Sequence, residues 1–165
     1  MAINALVLTG YGLNCDVETA YAFELAGAKA QRIHINRIIE DKTLLEKFQI
    51  IVFPGGFSYG DDVAAGKILA NQIIHHLYEP VQKFIEEGKL VLGICNGFQA
   101  LVKTGLLPGG PDSRELVTAT YNDSAKFEAR WVTLEVCTDR CPYLTPGTKL
   151  QMPVEHAEGK VVTAG

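Results

Sequence analysis

The stretch from residue 88 to residue 99 constrains the fold more than any other part of this 165-residue chain. An apolar run of strand length at 89–94 breaks at Gly-Ile-Cys-Asn-Gly, residues 93–97, and a helical pattern follows until Gly105 ends it. The small residues around Cys95 allow the backbone to turn sharply from strand to helix. This pattern is typical of a nucleophile elbow with cysteine as the nucleophile, and the N-terminus of the helix that follows stabilises a thiolate.

Strand and helix patterns alternate along the first 105 residues. Strands are predicted at 3–8, 31–36, 49–53 and 89–94. Helices are predicted at 17–26, from Asp61 or Asp62 to 77, from Pro80 to 88, and at 98–104, and residues 44–48 are predicted to be the end of another short helix. This alternation predicts a parallel, doubly wound α/β sheet flanked by helices. Ligands bind beyond the carboxyl ends of the strands in such sheets, so we expect the site at Gly55, Gly56 and Cys95.

The second half of the chain has a different pattern. Residues 115–121, 127–136 and 161–163 alternate between apolar and polar positions and carry few helix signals. They predict β-rich, partly antiparallel additions at one edge of the sheet. No linker divides the sequence, so a single domain over residues 1–165 is predicted.

Composition excludes several classes of function. The net charge of −4 leaves no basic face for binding nucleic acid, and the longest apolar stretches are of strand length, too short to span a membrane. The N-terminal sequence lacks the cationic start of a signal peptide. We therefore expect a cytoplasmic protein whose four cysteines, Cys15, Cys95, Cys137 and Cys141, are reduced thiols.

A nucleophilic cysteine needs a base, and the base needs a carboxylate to orient it. Four histidines are present, and His34, His75 and His76 are interpreted as structural residues of a strand and a helix. His156 lies between a proline and a glycine and is followed two residues later by Glu158. In an extended segment these two side chains point to the same face.

An oxyanion hole needs backbone N–H groups aimed at the developing negative charge. Asn96, directly after the nucleophile, supplies one such N–H group. The glycine pair at 55–56, after the neighbouring predicted strand, can supply another, because glycines allow the backbone to approach closely.

Four segments together resemble a known family. They are 53–61 (Phe-Pro-Gly-Gly-Phe-Ser-Tyr-Gly-Asp), 93–99 (Gly-Ile-Cys-Asn-Gly-Phe-Gln), 127–131 (Phe-Glu-Ala-Arg-Trp) and 156–159 (His-Ala-Glu-Gly). The chain resembles the class I (triad) glutamine amidotransferases, and within them the branch of glutaminase subunits of phosphoribosylformylglycinamidine synthase, from purine biosynthesis. The resemblance implies a flavodoxin-like fold. Members of that branch continue beyond the His-x-Glu motif, so this chain is expected to lack the family's C-terminal segment.

The resemblance also implies roles for individual residues. Cys95, His156 and Glu158 would form the catalytic triad that hydrolyses glutamine through a cysteine thioester. Gly56 and Asn96 match the oxyanion positions, and Gln99 matches a residue that helps to hold the substrate.

The partners implied by the resemblance are L-glutamine, a large synthetase subunit and a small bridging subunit. Ammonia would pass to the synthetase, which uses ATP and Mg²⁺ to convert formylglycinamide ribonucleotide to formylglycinamidine ribonucleotide. The resemblance implies no cofactor and no metal in this chain.

Two other functions remain open. A cysteine hydrolase or stress protein of the related α/β superfamily would pair its cysteine with an adjacent histidine or an early glutamate. Here the neighbour is Asn96, and Glu18 falls in the first predicted helix. An inactive scaffold subunit would have lost a triad member, and none is lost.

Four further motifs are weaker indicators of function. Cys15 precedes a predicted helix and is the rival nucleophile, but its loop lacks the compact elbow. Cys137 and Cys141 lack two further zinc ligands at suitable spacing. The Gly-Tyr-Gly sequence at 10–12 lacks the third glycine of a dinucleotide site. Arg130, in an alternating strand pattern, is a candidate for contact with a partner subunit.

Overall fold

The computed structural model describes residues 2–109 and 116–164. The chain forms two compact units. The first unit comprises Met1–Ala119 and Val161–Gly165, and the second unit comprises Thr120–Lys160.

A four-stranded sheet forms the centre of the first unit. Its strands are β1 (Asn4–Thr9), β2 (Lys29–His34), β3 (Ile50–Phe53) and β4 (Leu90–Gly93), in the order β2-β1-β3-β4. Every neighbouring pair is parallel. The central strand β3 is buried throughout, as expected for an apolar strand covered on both faces.

Helices cover both faces of this sheet. They are α1 (Asp16–Leu25), α2 (Ile35–Glu40), α3 (Lys67–Gln72), α4 (Tyr78–Glu86) and α5 (Asn96–Thr104), with 3₁₀ turns at Lys42–Lys47 and Ser58–Asp61 and a π turn at Ile73–Leu77. On one face Val7 and Val52 pack with Ala20 of α1. The alternate residues of the same strands pack against the other helices in a second, larger core. The predicted doubly wound parallel sheet is confirmed.

The strands of the second half pair among themselves. β5 (Val117–Thr120) pairs with β8 (Lys160–Thr163), and β6 (Glu128–Glu135) pairs with β7 (Lys149–His156). The β6–β7 pair is antiparallel, which confirms that part of the prediction. Each of these pairs forms a two-stranded sheet. Position 115, the first of a predicted strand, lies outside those residues.

Several predicted boundaries are wrong. The strand predicted to residue 36 ends at His34, because Ile35 begins α2. The helix predicted from Asp61 or Asp62 begins only at Lys67. The N-cap position of α1 is Cys15 rather than Asp16, and no side chain caps it. Strand β7, which includes His156, was not among the predicted strands.

None of the helices in residues 2–109 and 116–164 is long and apolar enough to cross a membrane.

Candidate active site

Cys95 occupies the turn between the end of β4 and the start of α5. Its backbone is in the left-handed region, with φ 51° and ψ −112°, which L-residues other than glycine rarely adopt. The residue is exposed. Strain of this kind is maintained only where the surrounding structure fixes it, and it concentrates at functional sites. The structure therefore has the nucleophile elbow that the sequence predicts.

Two glycines allow the helix to lie close to the sheet at this turn. A methyl group on Gly97 would overlap the carbonyl oxygen of Phe53 in β3 and lie 2.8 Å from the Phe53 Cβ. A Cβ on Gly93 would lie 2.9 Å from the Cα of Phe98. Only glycine fits at either position, so the small residues flanking Cys95 are a steric requirement of the elbow.

Helix α5 directs its N-terminus toward the position of the thiol. The carbonyl of Cys95 accepts a hydrogen bond from the N–H of Gln99 at 3.0 Å, which closes the first turn. The N–H groups of this first turn have no carbonyl partner within the helix. Together with the helix dipole they favour negative charge on Cys95.

The glycine pair after β3 lies beside Cys95. Phe53 and Gly93 are register neighbours at the ends of β3 and β4, so the loops that follow them are adjacent. A Cβ on Gly55 would be 3.4 Å from the Cβ of Cys95. Gly56 has φ 135° and packs so closely on the 10–15 loop that a Cβ would lie 2.5 Å from the carbonyl oxygen of Gly12. The first unit therefore brings the predicted oxyanion segments to Cys95, the predicted nucleophile.

The side chain of Asn96 has a structural role that the sequence does not reveal. It is buried, and its Oδ1 accepts a hydrogen bond from the N–H of Ser58 at 3.2 Å. Its Nδ2 donates to Asp61 at 2.9 Å and to Gln99 at 3.4 Å. Asp61 also accepts from the N–H of Gly66 at 3.0 Å. These bonds fix the start of α5 to the 3₁₀ turn that follows the glycine pair.

Cys15, the rival nucleophile, is a poorer candidate in the structure. It is half-buried, and its N–H donates to the carbonyl of Gly55 at 3.3 Å. Burial raises the pKa of the Cys15 thiol, and the neighbouring Glu18 carboxylate raises it further. Because the thiolate is the nucleophile, these surroundings make Cys15 less reactive than an ordinary thiol.

His156 and Glu158 lie in the second unit. His156 is the last residue of β7, is half-buried, and is the register partner of Glu128 on β6. Glu158 is buried in the bend that follows. The extended conformation assumed for 156–158 is therefore wrong, because the strand ends before Glu158. The triad of Cys95, His156 and Glu158 stays a prediction, as does the substrate-holding role of Gln99.

Asn122 is a contact of His156 that the sequence analysis missed. The Nδ1 atom of His156 lies 2.9 Å from the Oδ1 atom of Asn122. The polar residues around Asn122 signal a turn. No local pattern, however, indicates a contact between residues that are 34 positions apart.

The remaining candidate residues are Cys137, Cys141 and Arg130. Cys137 is exposed and Cys141 is half-buried. Across the described parts of the chain, no group of three or more His, Cys, Asp or Glu side chains is placed to hold a metal ion. Arg130 lies 3.8 Å from the Glu128 carboxylate in the same strand. Its contact with a partner subunit stays a prediction.

Comparison with known families assigns the class of protein. Residues 2–165 match the family described as the CobB/CobQ-like glutamine amidotransferase domain, and the chain belongs to that family. Such a match agrees with the cysteine elbow at the carboxyl edge of a parallel sheet.

Individual relatives narrow the comparison. The chain is 48% identical over 161 residues to phosphoribosylformylglycinamidine synthase subunit PurQ of Dehalococcoides mccartyi, covering 97% of this chain and 63% of that protein. It is 41% identical to the subunit of the same name from Methanococcus maripaludis strain C5, covering 97% of this chain and 60% of that protein. The chain thus spans less than two thirds of the length of these curated relatives.

A solved structure supports the same relationship. The PurLQS structure from Thermotoga maritima is similar over 100% of this chain and 71% of the matched chain, with a TM-score of 0.78 and 31% identity. A glutamine amidotransferase from the same organism, at 14% identity and a TM-score of 0.56, shares the fold.

Proposed function

We propose that this chain is the glutaminase part of a phosphoribosylformylglycinamidine synthase. It hydrolyses L-glutamine and delivers ammonia to a partner synthetase, which converts formylglycinamide ribonucleotide to formylglycinamidine ribonucleotide in purine biosynthesis. The observation that carries the proposal is the strained Cys95 elbow at the N-terminus of α5. It occurs in a chain that is 48% identical to a subunit of that synthase.

The first half of the reaction makes a thioester. His156 accepts the proton of the Cys95 thiol, and the resulting thiolate attacks the side-chain amide carbon of glutamine, so that a C–S bond forms and the carbonyl oxygen becomes an oxyanion. Backbone N–H groups of Gly56 and Asn96 stabilise this charge, as in other oxyanion holes. His156 then donates a proton to the amide nitrogen, the C–N bond breaks, and ammonia leaves.

The second half regenerates the thiol. His156 takes a proton from a water molecule, and the resulting hydroxide attacks the thioester carbon. The C–S bond breaks to release glutamate, and His156 returns the proton to the Cys95 sulfur. The Glu158 carboxylate stabilises the protonated imidazole, the role that an orienting acid has in other triads. Gln99, at the first turn of α5, holds the substrate.

The partners of the chain follow from the same proposal. The ammonia passes to a large synthetase subunit that binds ATP and Mg²⁺, and a small subunit bridges the two. This division of work leaves the chain without a cofactor of its own. Its location is the cytoplasm, where its cysteines stay reduced.

Labelling with a diazo-ketone analogue of glutamine tests the assignment of the nucleophile. The analogue is added to the chain alone and to the chain with its synthetase partner, and labelled peptides are identified by mass spectrometry. We expect label on Cys95 that glutamine blocks. The Cys15→Ser variant should label like the wild type, and Cys95→Ser should not label. Label on Cys15, or on no cysteine in the complete complex, contradicts the proposal.

Turnover of the complete complex tests the reaction. Cys95→Ala should abolish glutamine-dependent synthesis and leave synthesis from added ammonia unchanged, because the synthetase site is on the partner. Glutamine-dependent turnover by Cys95→Ala at the wild-type rate would exclude the thioester mechanism.

A further inference from the structure

The loop after β1 holds one side of the segment that contains the glycine pair. The N–H of Cys15 donates to the carbonyl of Gly55 at 3.3 Å. The N–H of Phe57 donates to the carbonyl of Gly12 at 2.8 Å. Hydrogen bonds to this loop therefore lie on both sides of the peptide group that joins Gly55 to Gly56.

These bonds determine the direction of the Gly56 N–H group. The peptide bond between Gly55 and Gly56 is trans, so its carbonyl and its N–H point in opposite directions. Because the carbonyl of Gly55 faces the N–H of Cys15, the N–H of Gly56 points away from Cys15. Within residues 2–109 and 116–164 this N–H has no hydrogen-bond acceptor. It is a donor of fixed direction in the loop beside Cys95.

The side chain of Asn96 holds the other side of the same segment. Its Oδ1 accepts from the N–H of Ser58 at 3.2 Å, two residues after Gly56. Its Nδ2 donates to the Asp61 carboxylate at 2.9 Å. Asn96 is only 1% exposed, so water does not compete for these bonds. One side chain of α5 thus binds both ends of the turn Ser58–Asp61.

This turn depends on contacts from outside it. Tyr59, Gly60 and Asp61 have φ values of 53°, 72° and 52° in succession. Residues other than glycine rarely adopt this left-handed conformation, and it is maintained only where surrounding structure fixes it. Loss of the bonds from Asn96 should let the turn relax, and the glycine pair directly before it would move as well.

The partners of Asn96 also determine which way its amide faces. The N–H of Ser58 only donates, and the ionised carboxylate of Asp61 only accepts. A flipped amide would oppose a donor to a donor and an oxygen to an oxygen. An aspartate here would lose the donor to Asp61, and a leucine would lose both bonds. The position therefore requires an amide.

We propose that the side chain of Asn96 is a positioning residue of the glutaminase reaction, which holds the N–H of Gly56 in place for the oxyanion. This inference rests on the proposed function, in which the backbone N–H groups of Gly56 and Asn96 are the two oxyanion donors. Asn96 then supplies one donor directly and holds the other through the turn Ser58–Asp61. A single residue sets the spacing between the two donors.

Three variants separate the bonds of this network. Asn96→Leu keeps the size of the side chain and the backbone N–H, but it removes the bonds to Ser58 and Asp61. Asp61→Leu removes the acceptor of Asn96 and of the Gly66 N–H. Asp61→Asn keeps an oxygen that can accept from both. Positioning predicts that Asp61→Asn behaves like the wild type and that the two leucine variants do not.

The measurement compares two reactions of Cys95 in the complex with the synthetase partner. Hydrolysis of glutamine develops an oxyanion, whereas alkylation by iodoacetamide displaces iodide from a methylene carbon and develops none. In both leucine variants, glutamine-dependent kcat should fall by about 10²-fold, as for loss of one oxyanion donor, with KM for glutamine little changed. Alkylation of Cys95, followed by mass spectrometry of its peptide, should stay near the wild-type rate. Asp61→Asn should match the wild type in both reactions.

Two outcomes overturn the inference. An equal loss of both reactions means that Asn96 only supports the fold around Cys95. An unchanged kcat in a folded Asn96→Leu protein means that the turn holds Gly56 without it. If Asn96→Leu does not fold, the two Asp61 variants decide by the same comparison.

Thr104→Val is the matched control at the other end of α5. The buried Oγ1 of Thr104 donates to the carbonyl of Leu101 at 2.7 Å and accepts from the N–H of Leu106 at 3.1 Å. The site is about 12 Å along the helix axis from Asn96. Thr104→Val should lower stability and leave kcat unchanged. A loss of kcat as large as that of Asn96→Leu would refute positioning. Failure of the proposed function is distinguishable, because the diazo-ketone analogue would then not label wild-type Cys95.

Discussion

Substitution of Gly97 by alanine tests the steric basis of the cysteine elbow. The added methyl group would overlap the Phe53 carbonyl oxygen and lie 2.5 Å from its carbon, about 0.9 Å closer than the 3.4 Å at which ordinary contact begins. Neither side can move easily, because β3 lies between β1 and β4 in the sheet. The Phe53 carbonyl also accepts the N–H of Ile94 at 2.9 Å. We therefore expect Gly97→Ala to destabilise the chain and displace Cys95.

The expected magnitude combines three effects. Insertion of a methyl group into a packed region costs about 1–3 kcal/mol. Weakening of the hydrogen bond from Ile94 to Phe53 costs about 1 kcal/mol more. The greater helix propensity of alanine than of glycine in α5 offsets about 1 kcal/mol of this cost. The free energy of unfolding should therefore fall by about 1–3 kcal/mol.

Urea denaturation measures this change. With m near 2 kcal/mol/M, typical of small proteins, the midpoint should fall by roughly 0.5–1.5 M at unchanged m. Gly10→Ala is the matched control, because its Cβ would meet Leu13 and Ile35 at ordinary contact distances of 3.5 and 3.6 Å. The control should leave stability unchanged or raise it by up to about 1 kcal/mol. A Gly97→Ala protein as stable as the wild type would refute the steric argument.

Three smaller tests follow from other contacts. Asn96→Ala leaves the buried backbone N–H of Ser58 without its acceptor and should lower the free energy of unfolding by about 1–3 kcal/mol, measured in urea. Glu18→Gln removes a charge that raises the pKa of the Cys15 thiol, so alkylation of Cys15 near pH 8 should become faster; an unchanged rate would mean that Glu18 has no effect on the thiol. A Cβ on Gly159 would overlap the His156 ring, so Gly159→Ala should displace the ring and lower the free energy of unfolding by about 1–3 kcal/mol, measured in urea; an unchanged midpoint would contradict this packing.

The parts of the fold that were predictable depend on local sequence. The alternation of apolar strands with helical segments is sufficient to predict the parallel sheet, because each element needs an apolar face of its own period. The elbow was predictable because its signal is also local. The small residues around Cys95 indicate a sharp turn whatever lies elsewhere in the chain.

The errors arise where distant residues impose the backbone. Tyr59 and Asp61 are not glycines, yet both have positive φ. The N–H of Tyr59 donates to the carbonyl of Tyr11, and the Asp61 carboxylate accepts from Asn96. These contacts come from the loop after β1 and from the first residue of α5, so no local pattern predicts them. The helix consequently begins later than its sequence suggests.

The same reasoning explains how much of the candidate site could be predicted. Cys95 and the glycine pair follow adjacent parallel strands, and the topology alone places them at one edge. The contact of Asn122 with His156 depends on where β7 ends, and β7 was itself not predicted. A hydrogen-bond network between separate turns becomes visible only in three dimensions.

The left-handed backbone of Cys95 has an evolutionary consequence. Glycine adopts this conformation without penalty, whereas other residues pay about 1–3 kcal/mol for it. For the nucleophile proposed above, selection for the thiol must therefore act continuously against selection for stability at this one position. In a lineage that no longer needed the reaction, replacement of Cys95 by glycine would be favoured for stability alone. The proposed nucleophile would then be among the first features of the proposed site to disappear, while the sheet beneath it persisted.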